Sequence, residues 1–436
     1  MQTVTRIAKA MQDVLIDKAN QMAQQSGFTE RERELTGSSF IVGLMTGWQA
    51  NPQSSLSGLS QAIGNAGTPI SRQGLDQRFD KKAVRFAQAM LEESLKVVAK
   101  ASPVSAGILS RFSSVDVVDS SIVTLPNALQ EIWSGSGGNG DNASVSSVKL
   151  NVRWDVRSGQ LKVLELSDGT QHDRRSRAHY DGVEAGSLRI ADLGYFKLGD
   201  LAAIDQAQAY WLMRYKPRTI VYDCQGKALD FQSWLPQQVG QCIDCDVKIG
   251  ARHQLACRLV AERVPLSVVR QRQERLRETA RQNQRPVSPY LLEMAHWTIY
   301  LTNVPSQLLA TQEIFTIGRY RWQIELLFKL WKSDFGVDQW ATSNPHRILC
   351  ELYIKLIGAI VTHWLLLVAC WHNPRRSLRQ AIPTIRGLAW QFGNCLSQLS
   401  LLLHTLKCLC RSLRCCRMDV SQQHPRAFQL IYDAIP

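Results

Sequence analysis

The chain has no long apolar run and no secretory signal. Its most apolar stretch, 356–371, contains Thr362 and His363 and is too short to cross a bilayer, so it predicts a buried helix. The first 25 residues are amphipathic and lack the continuous apolar core that a signal peptide needs. We therefore expect a protein that is neither secreted nor embedded in a membrane.

The cysteines lack the pairing that disulfide frameworks and zinc sites require. Eleven cysteines, an odd number, are scattered over the chain, which favours reduced thiols in a cytoplasm. Cys242 and Cys245 have the spacing of zinc ligands, but no second pair lies nearby. A structural zinc site is therefore disfavoured.

Acidic residues become scarce towards the end of the chain. Residues 1–100 carry 12 Lys and Arg against 9 Asp and Glu, residues 101–260 carry 17 against 17, and residues 261–436 carry 22 against 11. The net charge of +14 therefore comes mainly from the last part. Such a local positive field predicts a polyanionic partner, most simply nucleic acid. Charge kept only for solubility would be spread more evenly.

The pattern of apolar residues divides the chain into helical and mixed parts. A chain of 436 residues exceeds the usual size of one domain. Residues 1–102 and 306–436 have helical periodicity, and the short helix pairs near the start fit either a DNA-binding module or a plain helical cap. Residues 103–223 predict a mixed α/β sheet, and residues 224–305 predict a mainly β insertion.

Two predicted strands of the mixed sheet end on aspartates. The strand at 114–119 ends on Asp119, and the strand at 188–192 ends on Asp192. In both cases small residues follow within two positions, which suits a loop that exposes the carboxylate. The other predicted elements of this part are strands at 148–156, 160–166 and 219–222 and a helix from Leu198 to Arg214.

One helix is predicted over 318–332, where no proline interrupts residues that favour helix. Arg321, Glu325, Lys329 and Lys332 fall on one stripe, and the rest of the surface is almost entirely apolar, which predicts a buried helix. A buried carboxylate needs a cation, hydrogen bonds or a metal. Taken alone, the stripe fits a structural ladder of ion pairs equally well.

An arginine-rich helix is predicted inside the insertion. Six arginines lie between 270 and 285, with only two glutamates among them. Arg270, Arg277 and Arg281 share one face of such a helix, available to phosphates. The alternative is an ordinary exposed charged helix, although two acids compensate six arginines poorly.

Carboxylates at two strand ends, with a third on a later helix, can hold two Mg²⁺ ions, because Mg²⁺ prefers oxygen ligands. Two such ions, about 4 Å apart, activate a water or a 3′-hydroxyl and stabilise the leaving oxygen at phosphorus. On composition alone, Asp119, Asp192 and Glu325 are one triad among many, since 17 acids lie between 101 and 260.

The last of these acids lies in a pattern that resembles the DDE transposases of the insertion-sequence-four family. Arg321, Glu325 and Lys332 match that family's final acidic motif, Y-x2-R-x3-E-x6-K. Trp322 and Ile324 stand in the motif's usual RWxIE setting.

Two earlier segments resemble the other acidic motifs of the same family. The first motif is matched by Asp119 with Ser120, Ser121, Leu125 and Pro126, and the second by Asp192 with Leu193, Gly194, Tyr195 and Phe196. The similarity spans roughly residues 30–390, and the motifs occur in the family's order.

The resemblance implies a ribonuclease H-like α/β fold, with a mixed sheet split by a mainly β insertion, an all-helical N-terminal domain before it and C-terminal helices after it. The implied domains are a helical DNA-binding domain at 1–102, the first part of the catalytic core at 103–223, the insertion at 224–305, the last core helix with the glutamate at 306–345, and a helical region for DNA binding or dimerisation at 346–436.

The resemblance also implies roles for the motif residues. Asp119, Asp192 and Glu325 would be the catalytic residues and the ligands of two Mg²⁺ ions, for which Mn²⁺ can substitute. The implied DNA contacts are Arg321, Lys332 and Lys329 on phosphates and Trp322 stacked on a displaced base, with core packing as the alternative for this tryptophan. Trp297 is expected in the core, and His172 and Asp173 in a structural or loop role.

One position departs from the family pattern. Gly318 stands where the family has a tyrosine that contacts backbone phosphate near the cleavage site, so that contact is in doubt. Tyr320 projects about 100° away from Arg321, onto the apolar side of the helix, and cannot simply replace the missing phenol. The three metal ligands are not affected.

The expected function is cut-and-paste transposition by the transposase of a bacterial insertion sequence. Such a protein would bind double-stranded DNA at terminal inverted repeats, hydrolyse a phosphodiester at each end and join the 3′-OH to target DNA. We expect a homodimer on DNA, in the cytoplasm and associated with the nucleoid. The alternatives are a metal-dependent nuclease without strand transfer and a non-catalytic DNA-binding repressor derived from a transposase, which Gly318 favours and the three acids disfavour.

Overall fold

The computed structural model describes residues 2–30, 35–97, 107–137, 144–238, 240–371 and 376–416. In these residues nine strands form one mixed sheet, in the order β3-β2-β1-β4-β5-β9-β8-β7-β6. The strands are β1 (Val115–Thr124), β2 (Ser147–Asp155), β3 (Leu161–Asp168), β4 (Leu188–Ala191), β5 (Tyr210–Arg214), β6 (Val221–Tyr222), β7 (Cys242–Ile249), β8 (Leu255–Arg263) and β9 (Trp297–Thr302).

The helices lie before, between and after the strands. They are α1 (Gln2–Gln12), α2 (Ala19–Gln25), α3 (Gly37–Ala50), α4 (Leu56–Asn65), α5 (Arg72–Asp76), α6 (Lys81–Lys96), α7 (Leu198–Gln206), α8 (Phe231–Trp234), α9 (Leu266–Gln282), α10 (Pro289–Met294), α11 (Thr311–Tyr320), α12 (Trp322–Phe335), α13 (Pro345–Ala369), α14 (Leu378–Gly387), α15 (Ala389–Cys395) and α16 (Leu399–Ser412). The prediction of an α/β fold with helical N- and C-terminal regions is confirmed.

The sheet combines parallel and antiparallel pairing. β1, β4 and β5 run parallel. The pairs β5–β9, β9–β8, β8–β7, β7–β6 and β2–β3 are antiparallel. Antiparallel neighbours can be joined by short turns, whereas the parallel pairs need longer connections, and α7 forms the connection between β4 and β5.

Two compact units divide the chain. The first consists of Met1–Val104, Ser120–Gln171 and Gln323–Gln423, and the second of Ser105–Asp119, His172–Trp322 and His424–Pro436. The first unit therefore holds β2, β3 and most of the helices, and the second holds β4 to β9 with α7 to α11.

α13 forms the centre of the first unit. It packs against α3 and α6, and the most apolar part of the helix is entirely buried. Gln49 Nε2 on α3 donates to Gly358 O at 3.1 Å and to Thr362 Oγ1 at 3.0 Å on α13, which satisfies polar atoms inside this core. By length and composition α13 is the one described helix that could cross a membrane, but its burial is that of a core helix.

The buried helix predicted over 356–371 starts too late, because α13 already begins at Pro345. Charged residues interrupt the apolar pattern of its first half. Lys355 Nζ lies 2.7 Å from Glu351 Oε1, and both side chains are 1% exposed. Burial raises the pKa of Glu351 and lowers that of Lys355, as it disfavours both charged forms. The lysine also donates to Gly336 O at 2.9 Å.

The helix predicted from Leu198 to Arg214 is wrong in its second half. α7 ends at Gln206, Gln208 adopts a positive φ of 56°, and β5 follows from Tyr210. The left-handed residue ends the helix and lets the chain return as a strand beside β4. β5 is a short and mostly apolar run, so its sequence did not distinguish it from the end of a buried helix.

Segment 224–305 holds both strands and helices. β7 and β8 form a hairpin that is paired from Cys242 and Glu262 to Ile249 and Leu255. α8, α9 and α10 lie in the same segment. β9 then returns the chain to the parallel part of the sheet, next to β5.

Candidate active site

Asp119 and Asp192 follow paired positions of two neighbouring parallel strands. In the β1–β4 pair Val118 lies opposite Ala191, so the next residue of each strand leaves the pairing at the same level. Asp192 is exposed and lies directly after β4, which ends one residue earlier than predicted. The predicted end of the first strand is wrong, because β1 runs on through Asp119 to Thr124 and only its pairing with β4 stops there.

Arg321 forms an ion pair with Asp119. Its Nη1 donates to Asp119 Oδ2 at 2.8 Å, and the two side chains are 23% and 15% exposed. A charge-assisted hydrogen bond of this length, partly shielded from water, is stronger than a surface ion pair. Two of the predicted site residues, separated by 202 positions in the chain, are thus in direct contact.

A buried ion pair lies three residues before the two aspartates, on the same two strands. Asp116 and Arg189 stand opposite each other in β1 and β4, with 3.4 Å between Oδ2 and Nη2 and 1% exposure each. The guanidinium of Arg189 also donates to the carbonyls of Ala178 and His179. Because a one-residue slip would separate these buried charges, the pair stabilises the register that places Asp119 beside Asp192.

The loop after Asp192 is tightly packed. A short 3₁₀ turn, Leu193–Tyr195, begins there, and Tyr195 is 1% exposed. A Cβ at Gly194 would overlap the carboxylate of Asp173, so only glycine fits without a shift. This contact agrees with the loop role expected for Asp173.

The helix predicted over 318–332 is interrupted. α11 ends at Tyr320 and α12 begins at Trp322, with Arg321 as the turn residue between them. Arg321 keeps helical angles, φ −50° and ψ −34°, so the interruption lies in the hydrogen bonding and not in a kink made by proline or glycine. The prediction of one continuous helix is therefore wrong at the residue that pairs with Asp119.

The apolar composition of α12 predicted a buried helix, but part of the helix surface is exposed. Ile324, Phe328 and Trp331 are buried, but Leu326 is 46% exposed and Trp322 is 56% exposed. An exposed apolar face of this kind commonly marks an interaction surface. Core packing, the alternative reading for Trp322, is excluded by its exposure.

The polar residues of α12 differ in their surroundings. Glu325 lies half-buried in the first turn, where the helix dipole favours a carboxylate. Lys332 Nζ donates to Ile122 O at 2.7 Å, and burial lowers the pKa of this lysine, with Asp338 opposing the shift. Lys329 is exposed. Of the two lysines on the predicted stripe, Lys329 is the one that is exposed to solvent.

The space beside Gly318 is occupied by another aromatic residue. A Cβ at this position would overlap the phenol ring of Tyr300 on β9, which is 7% exposed. The ring also packs edge-on against Phe315, with centroids 5.9 Å apart. A glycine at position 318 is therefore required by the packing of a tyrosine from a neighbouring strand.

Two ion pairs that the sequence did not reveal hold the start of α11. Arg258 on β8 pairs with Asp244 on β7, with 2.6 Å between Nε and Oδ1, and Asp244 also accepts a hydrogen bond from Thr311. Arg111 donates to both carboxylate oxygens of Glu313, at 2.7 and 2.8 Å. No local pattern links these residues, since the partners lie 14 to 202 positions apart.

The arginine-rich helix is confirmed as α9, Leu266–Gln282. Arg270, Arg277 and Arg281 are exposed, and Arg281 Nη1 lies 3.1 Å from Glu278 Oε2. Trp297 is 4% exposed, as expected for a core residue, and the guanidinium of Arg263 lies over its ring at 4.9 Å.

A comparison with known protein families identifies the family of the chain. The family model described as a transposase DDE domain matches residues 110–361, more than half of the chain, including Asp119, Asp192 and Glu325. The chain belongs to the DDE transposase family.

Named transposases are similar to most of the chain. The transposase for insertion sequence element IS231B of Bacillus thuringiensis subsp. berliner is 28% identical over 362 residues, which are 78% of this chain and 75% of that protein. The transposase for IS1151 of Clostridium perfringens is 25% identical over 372 residues, 80% of this chain and 77% of that protein. The resemblance to insertion-sequence transposases is thereby confirmed, whereas the roles of single residues stay predictions.

DDE transposase domains use divalent metal ions, and the chemistry of the two aspartates suits them. Carboxylate oxygens are hard ligands, and Asp192 is open to solvent. Asp119, however, is paired with Arg321, and in the part of the chain that the structure describes no group of three His, Cys, Asp or Glu residues is placed to hold a metal. The ligand set of Asp119, Asp192 and Glu325 therefore stays a prediction.

Proposed function

We propose that this protein is the DNA transposase of a bacterial insertion sequence, acting by cut-and-paste transposition. It binds the terminal inverted repeats of its element, hydrolyses a phosphodiester at each end and transfers the 3′-OH to target DNA. The observation that carries the proposal is the placement of Asp119 and Asp192 after paired positions of adjacent parallel strands, within the segment that matches the DDE family.

In this proposal Asp119, Asp192 and Glu325 are the catalytic carboxylates of a ribonuclease H-like core. When bound there, two divalent ions, Mg²⁺ or in its place Mn²⁺, supply Lewis-acid activation of a water or a 3′-hydroxyl. Arg321 holds the Asp119 carboxylate in place and neutralises it before DNA arrives, because its guanidinium contacts Oδ2. On binding DNA, it shares its donors with a phosphate.

The remaining DNA contacts follow from exposure and charge. Lys329 and the exposed indole of Trp322 lie on the solvent side of α12, where a cation can meet a phosphate and a ring can stack on an unpaired base. Lys332 acts closer to the core, since it is partly buried. Arg270, Arg277 and Arg281 present positive charge along α9 to the DNA backbone.

We further propose the division of labour expected from the family. Residues 1–102 bind DNA, residues 103–223 and 306–345 form the catalytic core, residues 224–305 form the insertion, and residues 346–436 bind DNA or dimerise. Action on two ends requires two active sites, so the working form is a homodimer on DNA, in the bacterial cytoplasm and at the nucleoid.

A second candidate function is a transposase-derived protein that binds DNA without cutting it. The Asp119–Arg321 ion pair favours this candidate, because an arginine that neutralises the carboxylate competes with a metal ion for it. Such a protein would bind DNA in a salt-sensitive way, and its binding would be indifferent to substitution of the three acids.

Cleavage of a duplex that carries the inverted repeats flanking the gene distinguishes the two. The wild-type protein should nick or cut at the repeat boundary when Mg²⁺ is present. Asp192→Asn and Glu325→Gln should retain binding and lose cleavage. Binding without cleavage by the wild type would favour the second candidate, and full cleavage by Asp192→Asn would refute the assigned site.

A further inference from the structure

A large open groove lies in the second unit, outside the two aspartates and the α12 face. It has a volume of about 870 Å³ and lies between helices α9 and α10 and the ends of strands β5 and β9. Leu193, the residue directly after Asp192, lines one end of it. The groove therefore reaches the loop that carries the second aspartate.

Four exposed arginines give the groove a strong positive charge. Arg214, Arg218, Arg275 and Arg285 line it, and none of the described lining residues is acidic. No described carboxylate forms an ion pair with any of the four. Arginines kept only for packing or solubility are normally compensated by nearby acids, so this set is available to an anionic ligand.

A fifth arginine builds the floor of the groove and does not face a ligand. Arg272 Nη1 donates to Trp297 O at 2.9 Å, and its Nη2 donates to Thr298 Oγ1 at 2.9 Å. Arg214 lines the same groove as Arg272. Burial lowers the pKa of Arg272, and the positive charge of Arg214 lowers it further. Building two neighbouring cations into one surface costs stability and is typical of a site that binds an anion.

The positive charge continues towards the aspartate loop. Burial lowers the pKa of Lys216, and the nearby cation Arg174 lowers it further. Arg174 lies in the short turn Asp173–Arg175, and the Asp173 carboxylate of that turn lies beside Gly194, the residue after Leu193. The groove and the turn beside the Asp192 loop thus both carry arginines.

The size and lining of the groove fit one nucleic-acid strand. A cavity of several hundred Å³ encloses a ligand of drug size, which corresponds to a few nucleotides and not to a double helix. Leu276, Leu291 and Met294 add apolar surface to the lining. Apolar surface beside a row of cations is the combination by which proteins hold single strands, since bases or sugars lie on the first and phosphates on the second.

We propose that this groove binds a single DNA strand of a few nucleotides, with its phosphates on Arg218, Arg275 and Arg285, and leads that strand to the loop of Asp192. The inference rests on the proposed function, because it assigns the groove to a strand that has been separated from its complement near a transposon end. It adds a binding site for unpaired DNA that the acidic motifs do not include.

The test is binding of a fluorescein-labelled oligothymidylate of about ten nucleotides to the full chain, followed by anisotropy. The triple variant Arg218→Glu/Arg275→Glu/Arg285→Glu should raise the Kd at least about tenfold. The slope of log K against log salt should fall by about 2, since each phosphate contact to a single strand contributes roughly 0.7.

A matched control carries the same change of charge elsewhere in the second unit. Lys227→Glu/Lys248→Glu/Arg252→Glu alters three exposed cations that do not line the groove, and it should bind the oligonucleotide nearly as the wild type does. Equal losses in both triple variants, or a wild type that binds duplex but not the single strand, would overturn the proposal.

Two further measurements distinguish loss of binding from loss of folding and from failure of the proposed function. Circular dichroism checks that each variant is folded, and Arg218→Gln/Arg275→Gln/Arg285→Gln replaces the glutamate variant if that one is not, with the same expected direction. Cleavage of the end-containing duplex by the wild type tests the proposed function separately. Normal cleavage with unchanged oligonucleotide binding in the groove variants would refute the groove alone.

Discussion

At the scale of single residues, the contact between Arg321 and Asp119 carries most information about the site. The sequence placed both residues in acidic motifs, but no pattern predicts that a side chain on α11's end reaches a strand 202 positions earlier. The contact depends on the fold as a whole, which is why the sequence predicted the two residues and not their pairing. The same holds for Asp116 and Arg189, whose opposition follows from the register of β1 and β4.

Substitution of Arg321 tests whether this contact serves the reaction. Arg321→Gln leaves Asp119 without its cation and removes a donor for phosphate, so we expect single-turnover cleavage of the end-containing duplex to slow by roughly a hundredfold. Duplex binding should change much less. The control is Arg319→Gln, an exposed arginine in the last turn of α11, which should cleave at nearly the wild-type rate. An Arg321→Gln protein as fast as wild type would show that the ion pair is only structural.

Gly318 illustrates how a departure from a motif acquires a physical cause. The sequence indicated a lost phosphate contact at this position, while the packing adds that Tyr300 fills the space where a side chain would begin. The sequence could not reveal this packing contact, because Tyr300 lies on β9 and the glycine lies on α11.

The packing predicts the cost of a side chain at this position. Gly318→Ala should lower the free energy of unfolding by about 1–3 kcal/mol, because the methyl group must displace the Tyr300 ring. The control is Gly64→Ala on α4, where a Cβ meets no atom within 4 Å, and this change should be neutral or raise stability by up to about 1 kcal/mol. Urea unfolding followed by tryptophan fluorescence measures both. Equal effects of the two substitutions would contradict the predicted overlap.

At the scale of elements, strongly patterned segments were predicted well and boundaries less so. α9 follows from the helical pattern of its arginines, and the observed β4 agrees with its prediction to within one residue. The sequence did not predict the break at Arg321, because every residue around it favours helix and its backbone angles stay helical. β5 escaped because a short apolar run suits a buried helix end as well as a strand.

α11 is fixed at one end by charges and presents Arg321 at the other. Partial burial on its own would raise the pKa of Asp244, but hydrogen bonds from Arg258 and Thr311 outweigh it and hold this pKa below its usual value. Glu313 behaves in the same way, since the hydrogen bonds from Arg111 and from the Ala310 N–H outweigh the effect of burial. Protons therefore bind more tightly to the unfolded chain than to the folded one.

These depressed pKa values predict a loss of stability in acid. The stabilisation is complete above the unfolded pKa of about 4 and disappears as the pH falls through the folded value. Asp244→Asn should therefore show a flatter decline in unfolding free energy between about pH 5 and about pH 3 than the wild type. Urea titrations at a series of pH values measure this, with Asp246→Asn, an exposed neighbour on β7, as control. If Asp244→Asn follows the wild-type curve, the Arg258 and Thr311 contacts do not hold in solution.

At the scale of the whole molecule, the charge distribution and the family agree on DNA as the partner. The excess of Lys and Arg after residue 260 includes the arginines of α9 and the lysines of α12. The order of the motifs predicted the family correctly, because the spacing within each motif is set by local geometry on one strand or helix. The burial of each motif residue could not be predicted, because it depends on contacts between elements far apart in sequence.

The most direct test of the proposed transposition is a strand-transfer reaction. A duplex ending at the inverted repeat with a free 3′-OH is incubated with supercoiled plasmid, wild-type protein and Mg²⁺, and the products are separated on agarose. Joined, relaxed or linear plasmid carrying the labelled end is the predicted result, and Asp192→Asn should give none. Ends that are cut but never joined would indicate a nuclease, and binding without any product would contradict a catalytic function.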